Sequence, residues 1–392
     1  MARMISSALQ LAAIPILVGL IVWLELAHPF PMFRLATFIL VFVLLVRLAF
    51  AAKGKARDFL IVLASTAFGL AIAEGAANVA EPKGGGLTIT HGWSVRQPIM
   101  GWGPDHAGTA HAEKRDPKTN ALIYKADYTI DSNLLRETHS IDHGPAIVFF
   151  GDSYTFGDGI QDNETLPQVF ADSLDRKQRV LNLGFTGYSP QQFLREMETS
   201  RFDAVIGPDP KLFVFLTAPW HAERTACKAY WTPHAPHYAL EDGKIVYKGD
   251  CNEGANLLLR EWLENSAAYR WLIEPYRHQL NHDDVDVYVS TLEAAVKLAK
   301  DKYGVPTLIP YLRVPPEYLR KTGFTDDAIM ARLRDAGAIV IDASLDAQKN
   351  AGAVISIQGD GHPTPLANRL RAEMITNYIK QNMSGVLLSG LK

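Results

Sequence analysis

A parallel α/β sheet behind an all-α membrane anchor is the architecture that this 392-residue sequence predicts, on three observations. The first 80 residues hold three long apolar runs. From residue 146 onward, short continuous apolar runs alternate with amphipathic stretches, the pattern of βα units feeding one parallel sheet. The charge also changes sign: residues 1–80 carry six Lys/Arg and three Asp/Glu, while the remaining 312 carry 33 and 39. The composition, 48% hydrophobic and 21% charged, is that of a folded protein rather than a disordered or collagen-like one. A net charge of −3 gives no basic footprint for nucleic acid. Two cysteines exclude a disulfide-dense scaffold and a cysteine-rich metal cluster.

Taken in order, residues 4–24 carry no charge, and 21 residues of helix reach about 30 Å, the thickness of a bilayer's hydrocarbon core. Residues 35–52 form a second run broken only by Arg47, and residues 59–80 a third broken only by Glu74. Pro29 and Pro31 separate the first two, and Lys53, Gly54, Lys55 and Arg57 the last two. Arg3, Arg47 and this basic loop orient the N-terminus and residues 53–57 to the cytoplasm. About three spans then place everything after residue 80 on the extracytoplasmic side, the periplasm in a bacterium. Glu74 is expected to snorkel or to pack against a neighbouring helix. Residues 81–86 (EPKGGG) read as a linker. The expected domains are an anchor over 1–80, a linker and irregular lead-in over 81–145, and an α/β domain over 146–392.

In that domain residues 146–150 (AIVFF), 179–183, 211–216, 306–312 and 338–341 read as buried strands. Residues 165–174, 190–199, 291–303, 326–336 and 366–379 read as helices. Residues 218–281 interrupt the alternation with Trp220, Trp231, Trp262, Trp271 and both cysteines. Within them residues 238–247 read as a hairpin turning at Asp242-Gly243. This insertion either covers a binding cleft or packs as a satellite core. Cys227 and Cys251 are expected to be bridged, given the extracytoplasmic setting. His234 and His237 lack a third ligand, so no metal and no cofactor are expected.

Three motifs carry chemistry. The AIVFF run enters Gly151-Asp152-Ser153-Tyr154-Thr155-Phe156-Gly157, where a serine on a tight strand-to-helix turn is exposed and its own N–H can hold an oxyanion. A serine needs a base, and Asp360-Gly361-His362, just before the closing helix, offers a histidine and a carboxylate to orient it. Alternatively, Asp360 caps that helix. Asn182-Leu183-Gly184-Phe185-Thr186-Gly187, after the second strand, can turn backbone N–H groups toward a bound oxygen.

This order of motifs resembles the SGNH/GDSL hydrolase superfamily over roughly 146–383, with a lead-in similar to that of membrane-anchored bacterial members. The resemblance implies a three-layer sandwich with Ser153 as nucleophile, Asp360 and His362 as its partners, and Ser153 and Gly187 as oxyanion-hole donors. It also implies an acyl-ester substrate on an envelope glycan or lipid. The sequence departs from the family at its third block: residues 217–224 (TAPWHAER) lack the family's Asn, and His221 is expected to stand in as a donor. An esterase is the leading expectation. An O-acyltransferase acting on an envelope polysaccharide, a non-catalytic glycan-binding protein, and a chain working with a membrane acyl-transfer partner stay open.

Overall fold

The computed structural model describes residues 2–81, 86–90 and 93–391. They form two compact units: residues 1–83 with 254–277, and residues 84–253 with 278–392. Most of the expected linker, residues 82–85, lies outside the described residues.

The first unit is helical. Helices α1 (Ala2–Ala27), α2 (Phe33–Ala51) and α3 (Gly54–Ala80) follow one another through tight turns. By length and composition α2 and α3 could each cross a membrane, and residues 13–27 of α1 form a shorter apolar stretch. Their outward side chains, among them Phe59, Val62, Phe68 and Ile72, are apolar and exposed. Three short helices from far along the chain, Gly254–Glu264, Ala267–Leu272 and Glu274–Arg277, belong to this unit. Glu74 is buried and meets them: it accepts from Ser266 Oγ at 2.6 Å and from the backbone N–H groups of Ala267 and Ala268 at 2.8 and 3.1 Å. A carboxylate inside an apolar run is thus satisfied by a partner nearly 200 residues away in sequence.

The second unit is built on a five-stranded sheet from β6 (Ala146–Phe150), β7 (Arg179–Asn182), β8 (Leu212–Phe215), β11 (Thr307–Tyr311) and β12 (Ile339–Asp342). Its order is β12-β11-β8-β6-β7 and every pairing is parallel. Side chains alternate across each strand. Ile147 and Phe149 of β6 therefore join one buried cluster, with the helices Leu166–Asp172 and Pro365–Asn382. Val148 and Phe150 join the other, with the helices Pro190–Glu198 and His282–Tyr303. Helices on both faces make this the α/β three-layer sandwich that the sequence predicts. The helix expected over 291–303 begins nine residues earlier, at His282, where Asn281 caps it by accepting from the Asp284 N–H. Asp283, Asp284 and Asp286 in its first turns break the apolar stripe that would have marked its start.

The lead-in is ordered. Strands β1 (Gly86–Ile89), β4 (Gly108–Arg115) and β5 (Leu122–Ile130) form an antiparallel sheet, and β2 (Val95–Gln97) pairs with β3 (Gly101–Gly103). Tyr124, Ala126, Tyr128 and Ile130 of β5 alternate inward and pack over Phe156 and Phe185. The hairpin of β9 (Pro236–Glu241) and β10 (Lys244–Asp250) turns at Asp242-Gly243, both with positive φ. Cys227 and Cys251 are bridged, with Cα atoms 5.4 Å apart. The segment 218–281 does not act as one insertion: Trp220 and Trp231 stay with the sheet, whereas Trp262 and Trp271 belong to the helical unit.

Candidate active site

In a parallel sheet of this order the cleft opens at the carboxyl ends of the strands, where the order reverses between β6 and β8. Ser153 follows β6 there, as the first residue of a one-turn helix, Ser153–Phe156. Gly151 turns the chain with φ 154°, and a Cβ at that position would lie 2.2 Å from Thr155 Oγ1. Asp152 caps the turn, accepting from the Tyr154 N–H at 2.9 Å. The sequence therefore has glycine and aspartate flanking Ser153 for backbone reasons as much as chemical ones.

The C-terminal loop folds back to meet this turn. Ile357 N donates to His362 O, and Asp360 N and Gly361 N donate to Ile357 O. Thr364, not Asp360, caps the closing helix by accepting from the Ala367 N–H. Asp360 is left to His362: its Oδ2 lies 2.5 Å from Nδ1 and accepts from the His362 backbone N–H at 3.1 Å. The other ring nitrogen, Nε2, lies 2.9 Å from Ser153 Oγ. Three residues up to 209 positions apart thus form one hydrogen-bonded chain.

Gly187 has φ 80°, and a Cβ there would lie 2.8 Å from the Trp231 indole nitrogen. Trp102 fixes the same turn by donating to Thr186 O at 2.8 Å. Among the described residues, neither the Ser153 nor the Gly187 backbone N–H donates within the protein. Both residues line a cavity of about 620 Å³ with His362 and Arg224. Its walls include Trp93, Trp102, Tyr230 and Trp231, and Arg96 and His234 add polar groups.

His221 does not reach this cavity as a donor, which corrects the expectation drawn from the sequence. It is almost fully buried, and both ring nitrogens are spent. Nε2 lies 3.0 Å from Asp152 Oδ2, and Nδ1 lies 2.9 Å from Thr217 Oγ1, which in turn bonds Tyr288. Arg224, three residues on, is the group that faces the cavity. Its Nη1 donates to Asp152 Oδ2 at 2.8 Å and to Tyr188 O at 2.9 Å.

The charges around His362 are ordered by burial and pairing. Burial by itself would raise Asp360, but hydrogen bonds from His362 and from Lys114 hold it well below the usual carboxylate range. Lys114 Nζ lies 2.5 Å from Asp360 Oδ1. Burial by itself would lower His362; the Asp360 hydrogen bond, with the charges of Asp158 and Asp360, outweighs it and raises the ring above its ordinary value. Asp158, 3.9 Å from His362 Nε2 and bonded by Thr186 Oγ1, is pushed up to about 6 by burial. Burial would likewise raise Asp152, but the His221 contact and Arg224 hold it far below the usual range. Burial lowers His221, outweighing the contact with Asp152.

Sequence reasoning missed Lys114, Asp158 and the role of Arg224. Asp158 stands just past the serine motif and Arg224 just past His221, so proximity to a motif was a usable signal for both. Lys114 carried none, being 246 residues from Asp360.

No known family profile matches the sequence, and no curated protein matches it. Solved structures do. AlinE4, an SGNH-hydrolase family esterase, is 19% identical, covering 64% of this chain and all of that one at a TM-score of 0.31. The psychrotrophic esterase EstA from Pseudoalteromonas sp. is 16% identical, covering 62% and 100% at 0.37. A carbohydrate acetylesterase family member from Sinorhizobium meliloti is 12% identical, covering 61% and 98% at 0.32.

Compared with the SGNH/GDSL motif order that the sequence resembles, the chain keeps the serine turn, the second-block glycine and the Asp-x-His loop, and it has the buried His221 and the cavity-facing Arg224 where that motif order has Asn.

Proposed function

We propose that this chain is a serine-dependent esterase, anchored in the cytoplasmic membrane by α1–α3 with its catalytic unit on the periplasmic side. The observation that carries the reading is the hydrogen-bonded chain from Ser153 Oγ through His362 to Asp360. Ser153 Oγ attacks the ester carbonyl while His362 Nε2 takes its proton. Asp360 holds the Nδ1–H tautomer and stabilises the imidazolium that forms. The Ser153 and Gly187 N–H groups hold the oxyanion, and the Arg224 guanidinium supplies the third donor that the missing Asn would have given. One such donor is worth about 2.7–4 kcal/mol in the transition state. His362 then gives the proton to the leaving alcohol oxygen as the C–O bond breaks, leaving an acyl-Ser153 ester. Water, deprotonated by His362, cleaves that ester and restores Ser153.

The substrate is an acyl ester on an envelope glycan or lipid. Flat aromatic walls suit sugar faces and acyl chains, and Arg96, Arg224 and His234 suit hydroxyl or carboxylate groups. The same walls favour one second reading, an O-acyltransferase in which a bound sugar hydroxyl replaces water in the last step. A purely glycan-binding role would leave the Ser153–His362–Asp360 geometry without a purpose.

The test is labelling of the detergent-solubilised full chain with a fluorophosphonate probe, beside S153A. Covalent labelling lost in S153A is the expected result. A folded protein that neither labels nor cleaves short p-nitrophenyl esters overturns the proposal. Acyl transfer to an added glycan in place of release to water would decide for the transferase.

A further inference from the structure

The three helices Gly254–Glu264, Ala267–Leu272 and Glu274–Arg277 are a short interruption of the α/β unit by sequence, yet they pack with α1–α3. Among the described residues, four polar groups of that helical set that meet them lie at one end of it. Glu25 stands at the end of α1 and Arg34 at the start of α2; Glu74 lies in the last turns of α3, and Glu81 follows it. Trp262 Nε1 donates to Glu25 at 2.9 Å, and Arg34 donates to Trp262 O at 2.8 Å with its guanidinium over the indole ring. Arg270 pairs with Glu81 through two bonds of 2.9 Å. Successive helices run antiparallel, so these four residues mark the same end, opposite the basic loop at Lys53, Lys55 and Arg57. Glu74 lies 20 residues beyond Gly54, about 30 Å along the helix, which is the depth of a hydrocarbon core. The segment therefore sits where α3 leaves the apolar layer.

The segment still leaves apolar surface open. Leu258, Trp262, Trp271, Leu272, Ile273 and Tyr276 are each about half exposed or more. Tryptophan and tyrosine beside leucine on short amphipathic helices fit the headgroup–acyl boundary, which takes an apolar ring body and a polar edge together. Residues 254–277 carry three Arg and three Glu and no Lys or Asp. Attraction to anionic lipid is thus not what would hold them. Resting on the membrane reading above, we infer that residues 254–277 are an interfacial segment, lying in the outer headgroup layer with Trp262 and Trp271 among the lipids.

The test places the full chain in vesicles of phosphatidylcholine brominated near the glycerol end of the acyl chain, and reads tryptophan fluorescence. Wild type is compared with W23F, with W262F/W271F, and with W271F alone, which removes no hydrogen bond recorded for Trp262. The expected result is a quenched component that is lost in W262F/W271F, reduced in W271F, and unchanged when phosphatidylglycerol is added. Quenching of the Trp23 component with none from Trp262 and Trp271 overturns the inference while leaving the anchor standing. Absence of both, with release of the chain by alkaline wash, overturns inference and anchor together.

Discussion

Two aspartate–histidine pairs flank the same serine, and they differ in what the second ring nitrogen faces. His362 gives Nδ1 to Asp360 and turns Nε2 to Ser153 and the cavity. His221 gives Nε2 to Asp152 and has its Nδ1 bonded to Thr217, and it does not line the cavity at Ser153. The chemistry of the two pairs is the same. Access decides which is a base and which is a strut: His362 turns Nε2 to a serine hydroxyl at the cavity, whereas both nitrogens of His221 are bonded to buried groups away from it.

The sharpest test of that difference is substitution of each pair. S153A or H362A should lower kcat/KM by roughly 10⁴-fold or more, S153A while leaving the unfolding midpoint near wild type. H221A should do the reverse. It strands Asp152 without one of its hydrogen-bond partners, a loss of about 1–3 kcal/mol, so the midpoint in urea should fall while the folded fraction still labels at Ser153. Equal loss of labelling and stability in both variants would erase the distinction between base and strut.

Arg224 tests whether the strut pair reaches the chemistry indirectly. R224M should cut kcat about 10²–10³-fold, with little change in the pH at which the rate falls. R224K, which keeps charge but loses the planar fork, should recover only part of this. An unchanged kcat would return the third donor to some other group.

The pH profile sharpens the comparison from the side of His362. Its pKa is raised in the folded protein, so the rate should fall on acidification at a pH above the ordinary imidazole value of about 6.5. Stability runs the other way: protonated His362 stabilises the fold fully below its unfolded pKa, and that contribution is lost as pH rises through the folded one. Measuring kcat/KM and the thermal midpoint over the same pH series checks both signs. The groups facing the ring are Asp360, Asp158, Asp152 and Tyr154, with Lys114 behind Asp360. K114M removes a cation and leaves Asp360 less screened, so the acid limb should move up by about one unit at most, and K114R should restore it. A uniform drop in rate without a shift would make Lys114 merely structural. C227S/C251S should cost roughly 3 kcal/mol from a closed loop of about 25 residues, read as a lower midpoint with the profile unmoved.

What the sequence determined by itself was local. The five buried strands, the glycine-flanked turn at Ser153, the Asp360-Gly361-His362 loop and the Asp242-Gly243 hairpin each depend on neighbours a few residues away, so backbone preference and hydrophobic period exposed them. Only the tertiary structure decided where the distant pieces met. Lys114 reaches Asp360 across 246 positions, Trp262 reaches Glu25 across 237, and Ser266 reaches Glu74 across 192. His221 shows the limit most plainly: a buried strut and a substrate donor are the same residue in a sequence. Which it becomes is set by the groups that close around its two nitrogens, and those arrive from β6, β8 and the helix His282–Tyr303 only when the chain folds.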